Sequence, residues 1–177
     1  MRLFVAIELP AQVRRELQMV EAELQRRSEN GRFVSQRNFH ITLHFIGETD
    51  RLADAVSAVH ECVRGIRPFE LHLGNYSSFD RGETRTSIVT VNGDFSELNA
   101  LYESLQAKMA DYGFKREHRR YTPHITLGRN VVHSDETGDI LSRTPLKGAF
   151  TVSGITLFES VRGPRGMDYL PLHREKF

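Results

Sequence analysis

At 177 residues the chain is long enough for one well-packed domain and too short for two ordinary independent ones. Its 39% hydrophobic and 27% charged residues match a globular protein and exclude a disordered or fibrous chain. A net charge of +1 excludes the broad basic field that holds duplex nucleic acid non-specifically, and a single Cys62 excludes an internal disulfide or a thiolate zinc site.

The chain opens with Leu3 to Ile7, a branched and aromatic run that reads as a buried strand. It is too short for a signal-peptide core, and Glu8 and Pro10 interrupt it. No stretch is long enough to span a bilayer, so a cytoplasmic, reducing location is expected. Pro10 opens a helix in which Val13, Leu17, Val20 and Leu24 recur at helical spacing to about Arg27, and Ser28 to Gly31 closes it. From Asn38 to Ile46 the residues alternate, with Phe39, Ile41, Leu43 and Phe45 on one side and His40, Thr42 and His44 on the other. Gly47 ends this strand, and Asp50 is a candidate cap for a helix through about Val63.

Phe69 to Phe79 and Thr86 to Val91 read as two strands joined by the turn Asp80 to Glu83. Asp94 or Ser96 starts a second long helix with Leu98, Leu101, Leu105 and Met109 on its inner face. The basic loop Lys115 to Arg120 leads into a strand from Tyr121 to Leu127. A short helical or irregular piece over Asp135 to Leu141 precedes two final strands, Gly148 to Phe158 and Met167 to Leu172. Helices and strands mix without regular βαβ alternation, and the order of elements repeats weakly. The expected fold is α+β: one bilobal domain over 1–177, with two pseudo-symmetric lobes of antiparallel sheet, helices outside and a cleft between them.

One tetrapeptide occurs twice, as His40-Ile41-Thr42-Leu43 and His124-Ile125-Thr126-Leu127. On a strand, His and Thr at i and i+2 share a face while Ile and Leu anchor the other in the core. An amphipathic strand accounts for one copy, but identical copies in two halves demand more. Two such strands meeting across a cleft bring two imidazoles and two hydroxyls to one small anionic group. In-line displacement at phosphorus needs a base for the attacking water and an acid for the departing oxygen, and imidazole serves as either near neutral pH. The hydroxyls can donate to the non-bridging oxygens as charge develops.

With these motifs and their flanks the sequence resembles the two-histidine (2H) phosphoesterase superfamily. Within it the likeness is to the RNA 2′,3′-cyclic phosphodiesterases, also called 2′-5′ RNA ligase-like proteins. The resemblance also covers Arg2 to Ile7, Asn38 to Glu48, Pro123 to Arg129, and Leu157 to Ser160 followed by Tyr169. Arg32-Phe33-Val34-Ser35 stands where relatives often carry Trp-Val-Pro.

The resemblance implies hydrolysis of RNA 2′,3′-cyclic phosphate ends, transfer-RNA fragments among them, to 2′-phosphomonoesters without a metal or other cofactor, by a chain acting as a monomer. His40 would be the proton donor, His124 the proton acceptor, and Thr42, Thr126 and Arg129 would bind phosphate. The same pair run backwards would ligate. Two other functions stay open: a phosphodiesterase for a small nucleotide such as ADP-ribose cyclic phosphate, and a non-catalytic RNA-end-binding module.

Strict alternation from His124 aims Arg129 at the opposite face unless Gly128 bends the strand. His44 is read as a solvated strand residue. The other histidines, His60, His72, His118, His133 and His173, have no metal-ligand spacing and are assigned to the surface or core edge. The basic loop is read as a solvated turn, with guidance of an RNA backbone as the alternative. Tyr121 and Phe4 are candidate base-stacking residues, although such rings are more often core.

Overall fold

The computed structural model describes residues 1–177. Thirteen elements follow along the chain: β1 (Arg2–Glu8), α1 (Ala11–Arg27), β2 (Asn30–Phe33), β3 (His40–Glu48), α2 (Leu52–Cys62), β4 (Phe69–Arg81), β5 (Thr84–Gly93), α3 (Phe95–Asp111), β6 (His124–Val132), α4 (Asp135–Ser142), β7 (Ala149–Val152), β8 (Gly154–Gly163) and β9 (Gly166–Lys176). A short 3-10 turn, Gln36–Asn38, precedes β3. The strands form one nine-stranded sheet in the order β7-β4-β5-β6-β3-β1-β8-β9, with β2 on β6, and every pairing is antiparallel. The α+β class and antiparallel sheet expected from the sequence are present.

The sheet has two matching arms, β3-β1-β8-β9 and β6-β5-β4-β7, which meet where β3 pairs with β6. These arms are not the first and second halves of the sequence. The chain builds β1 and β3, crosses to build β4 to β7, and returns for β8 and β9. The return explains one correction to the sequence reading: Gly148 to Phe158 is not one strand. Its first part pairs with β4 at one edge of the sheet, and its second part pairs with β1 in the other arm. Gly154 makes the exchange possible, because a Cβ there would lie 2.7 Å from the Glu175 carbonyl oxygen.

Helices cover one face of the sheet. The main core contains 34 buried residues, including Leu3, Val5 and Ile7 of β1, Ile41 and Leu43 of β3, Ile125 and Leu127 of β6, and the inner faces of α1, α2 and α3. Its burial follows the alternation visible in the sequence. On the opposite face, Phe4, Ala6 and Phe158 form a second cluster with Tyr169 packed against it. That face, open along the junction of the arms, carries the motif side chains. No helix is long and apolar enough to cross a membrane.

Two cap assignments resolve differently. Asp94 caps α3 and accepts from the Ser96 amide at 3.0 Å, but the residue preceding α2 is Arg51, whose amide donates to Thr49, so Asp50 does not cap that helix. The short strand β2 is absent from the sequence expectation because Asn30-Gly31-Arg32-Phe33 has little apolar pattern of its own; its pairing with β6 supplies its order.

Candidate active site

β3 and β6 meet through one registered pair, Ile41 opposite Ile125, and both side chains are fully buried. The antiparallel sense sets His40 across from Thr126 and Thr42 across from His124. All four therefore stand on the face opposite the main core, with the histidines on one diagonal. Diagonal neighbours on such a pair have side-chain origins about 7–8 Å apart, a gap that one phosphoryl group can fill.

Both imidazoles are held in the same way. His40 Nδ1 lies 2.6 Å from the Asn38 carbonyl oxygen, and His124 Nδ1 lies 2.7 Å from that of Thr122, two residues upstream in each case. A carbonyl only accepts, so each Nδ1 carries the proton when the ring is neutral, and each Nε2 is the free acid-base atom. His40 Nε2 is 2.9 Å from Thr42 Oγ1, whose hydroxyl donates to it.

The surroundings of the two rings differ. His40 is enclosed by Phe4 at a ring separation of 5.1 Å and by Tyr169, edge-on, at 5.3 Å. It also forms one wall of a groove of about 330 Å³ lined by Arg14, Arg37, Asn38, Tyr169 and Arg174. His124 is the more open ring: its bond to Thr122 is solvent-exposed, and the one aromatic ring beside it is Phe79, edge-on at 5.2 Å. Burial pushes the His40 imidazole below the usual histidine range; the Asn38 carbonyl opposes that shift, and the positive charges of Arg129 and His124 add to it.

Strict alternation from His124 does not hold as far as Arg129, because the ladder is irregular at Gly128. Thr126 pairs with Ile88 but Gly128 pairs with Ser87, so β6 holds one more residue than β5 there, a β-bulge. Leu127 and Gly128 are both buried and Arg129 emerges exposed. β3 has the same bulge: Thr42 pairs with Ala6 and His44 with Val5.

The second bulge corrects the expectation for His44. It turns inward, 3% exposed, and its Nδ1 lies 2.7 Å from Gln106 Nε2 of α3. Phe45 takes the position matching Arg129 and is 55% exposed, with the Arg2 guanidinium 5.2 Å above its ring. The candidate stacking rings are committed elsewhere: Phe4 is buried against His40, and Tyr121 stacks on Tyr102 and bonds to β3.

In the basic loop, Arg116 and Arg119 are engaged by Glu103 and Glu117, in keeping with the solvated-turn reading. His133 is buried and bonded to Tyr76, while His60 and His173 share Glu175. No group of three or more His, Cys, Asp or Glu side chains is arranged to hold a metal ion. Sequence reading assigns no site role to Phe79 or Asn38, beside the histidines, or to Phe158, which stacks on Phe4; the places of these rings depend on pairing between distant segments. Asn38 had the one local signal, since a carbonyl two residues before a strand histidine repeats in Thr122.

Fold and site together put two imidazoles, held alike through Nδ1, on one antiparallel sheet. The model of the 2′-5′ RNA ligase superfamily matches residues 8–164, and the chain belongs to that family of 2H phosphoesterases. It is 28% identical to the RNA 2′,3′-cyclic phosphodiesterase of Thermotoga maritima, over 100% of this chain and 96% of the relative. A crystal structure of a protein from Thermus thermophilus superposes with a TM-score of 0.82 at 26% identity, covering 99% of this chain and 97% of that one. E. coli LigT complexed with 3′-AMP superposes with a TM-score of 0.78 at 27% identity, covering 99% and 97%.

Proposed function

We propose that the protein hydrolyses RNA 2′,3′-cyclic phosphate ends to 2′-phosphomonoesters, with His40 and His124 as the acid-base pair. The observation that carries this reading is the matched pair of imidazoles, each with Nδ1 on a backbone carbonyl and each followed two residues on by a threonine, on two adjoining strands. Two titrating rings in mirrored settings fit a displacement that needs one proton removed and one supplied.

The unequal surroundings favour one division of roles. His124, the more open to solvent, takes a proton from water as the water oxygen bonds to phosphorus. His40, beside the groove of about 330 Å³, protonates the 3′ oxygen as the phosphorus–O3′ bond breaks. The groove is of the size that holds a small ligand, and the terminal nucleoside fits there. Arg129, Thr42 and Thr126 bind the non-bridging oxygens, where charge builds up. Burial is the main influence against a protonated His40, and a bound phosphate anion counters the lesser part that Arg129 and His124 add.

The name of the Thermotoga maritima relative supports this substrate. No step needs a metal. Incubation with RNA bearing a cyclic end, in the presence of chelator, is expected to yield a product one water heavier with its phosphate on O2′ at an unchanged rate. A 3′-phosphate product, no product, or activity lost to chelator sinks the reading. The small size of the groove beside His40 also favours a second substrate class, a cyclic mononucleotide. Turnover of that substrate well above the oligonucleotide's would make RNA secondary.

A further inference from the structure

We propose that Tyr121, backed by Gln106, is the clamp that fixes the spacing of the two histidine motifs, tying the segment that enters the second motif to the backbone of the first. The structural part stands alone, and its consequence for turnover rests on the reading above.

The need for a clamp follows from the sheet. β3 and β6 share only the pair Ile41 and Ile125, and a single pair leaves two strands free to pivot about it. The ladder does not continue towards the start of β6, where Pro123 has no N–H to donate. The Tyr121 hydroxyl takes that place, donating to the Thr42 carbonyl oxygen at 3.0 Å. Its ring is held against Tyr102 of α3, 4.1 Å between centroids and 12° from parallel. Burial pushes its ionisation up, so the hydroxyl stays a donor throughout the working pH range.

Gln106 secures the other end of the same segment. Its Oε1 accepts from the Glu117 amide at 3.0 Å, which turns its NH₂ towards His44 Nδ1 at 2.7 Å. The segment from Glu117 to Tyr121 is thus fastened to β3 at Thr42 and, through Gln106, at His44. Both anchors lie at the bulge that follows the first motif, and His124 begins three residues beyond Tyr121. Neither Tyr121 nor Gln106 lines the groove beside His40, so both are taken as positioning residues. Small errors in separation between reacting groups are costly, since misplacement by about 1 Å can lower a rate about 100-fold.

Tyr121→Phe removes one hydroxyl and keeps the stack. It is expected to lower kcat about tenfold with KM within about twofold. NMR titration of the His40 ring gives a readout independent of activity. With β6 released, Arg129 and His124 withdraw from His40, and its pKa is expected to rise towards the ordinary value. Ser104→Ala is the control, because it deletes a comparable bond, Ser104 Oγ to the Cys62 carbonyl at 2.7 Å, away from both motifs; it should change neither readout.

If Tyr121→Phe matches the wild type in kcat and in the His40 titration, or changes no more than Ser104→Ala, the clamp is overturned. Should Tyr121→Phe fail to fold, Gln106→Met is read by the same two measurements and the same rule. A shifted His40 titration in a protein that does not hydrolyse cyclic phosphate would keep the clamp and remove the catalytic reading.

Discussion

His40→Asn and His124→Asn should each lower kcat on cyclic-phosphate RNA by about 1,000-fold, within the range for loss of a positioned acid or base. KM should change far less than kcat, because Thr42, Thr126 and Arg129 remain to hold the phosphate. The double variant should be little worse than either single one, since the two rings serve one displacement and its rate collapses when either proton transfer fails. Steady-state kinetics at neutral pH reads all three variants. The enclosure of His40 by Phe4 and Tyr169 makes folding the necessary control, so thermal unfolding is measured alongside. An unfolded His40→Asn would explain lost activity trivially; a folded one that retains a tenth or more of the wild-type rate contradicts the assignment.

The largest expected effect on stability lies far from the chemistry. Glu21 of α1 is 4% exposed, its Oε2 has no hydrogen-bond partner, and burial pushes its carboxyl from 4.5 up to about 7. In the unfolded chain it ionises above about 4.5, whereas the folded protein keeps it protonated until about 7. Its contribution to stability is therefore present below the unfolded value and lost as pH rises to the folded one. At 1.36 kcal/mol per pH unit the full loss is about 3 kcal/mol. Glu21→Gln cannot ionise, so its stability relative to the wild type should improve by about 2–3 kcal/mol between pH 5 and pH 8. Any constant cost of the buried amide cancels in that difference, as do the titrations of His40 and His44. Urea unfolding at the two pH values measures it, and an equal offset at both would remove Glu21 as the source.

Much of this site was legible in the sequence, for a physical reason. A strand presents alternate residues to one face, so His-x-Thr written twice states that two imidazoles and two hydroxyls are displayed, whatever the partner strands. The same rule misplaced His44, because alternation assumes an unbroken ladder and an extra residue in β3 opposite Val5 and Ala6 reverses the face. The matching bulge in β6 was open to anticipation because Gly128 stands there; in β3 the equivalent place is taken by His44, with no composition signal. Interleaving of the arms was hidden as well. Nothing between Phe150 and Ile155 marks a change of sheet arm except Ser153-Gly154, a weak signal amid apolar residues. The rings around the histidines come from β1, β4 and β9, and only the pairing of those strands brings them there.

Central to the proposed function is that two rings from different arms of one sheet grip the same phosphate. Adding adenosine 2′-monophosphate while following the His40 and His124 ring signals by NMR tests that directly. Both sets of signals should move together and saturate at one nucleotide concentration. Movement of one ring alone, or two separate saturation curves, would mean that the imidazoles do not share a phosphate.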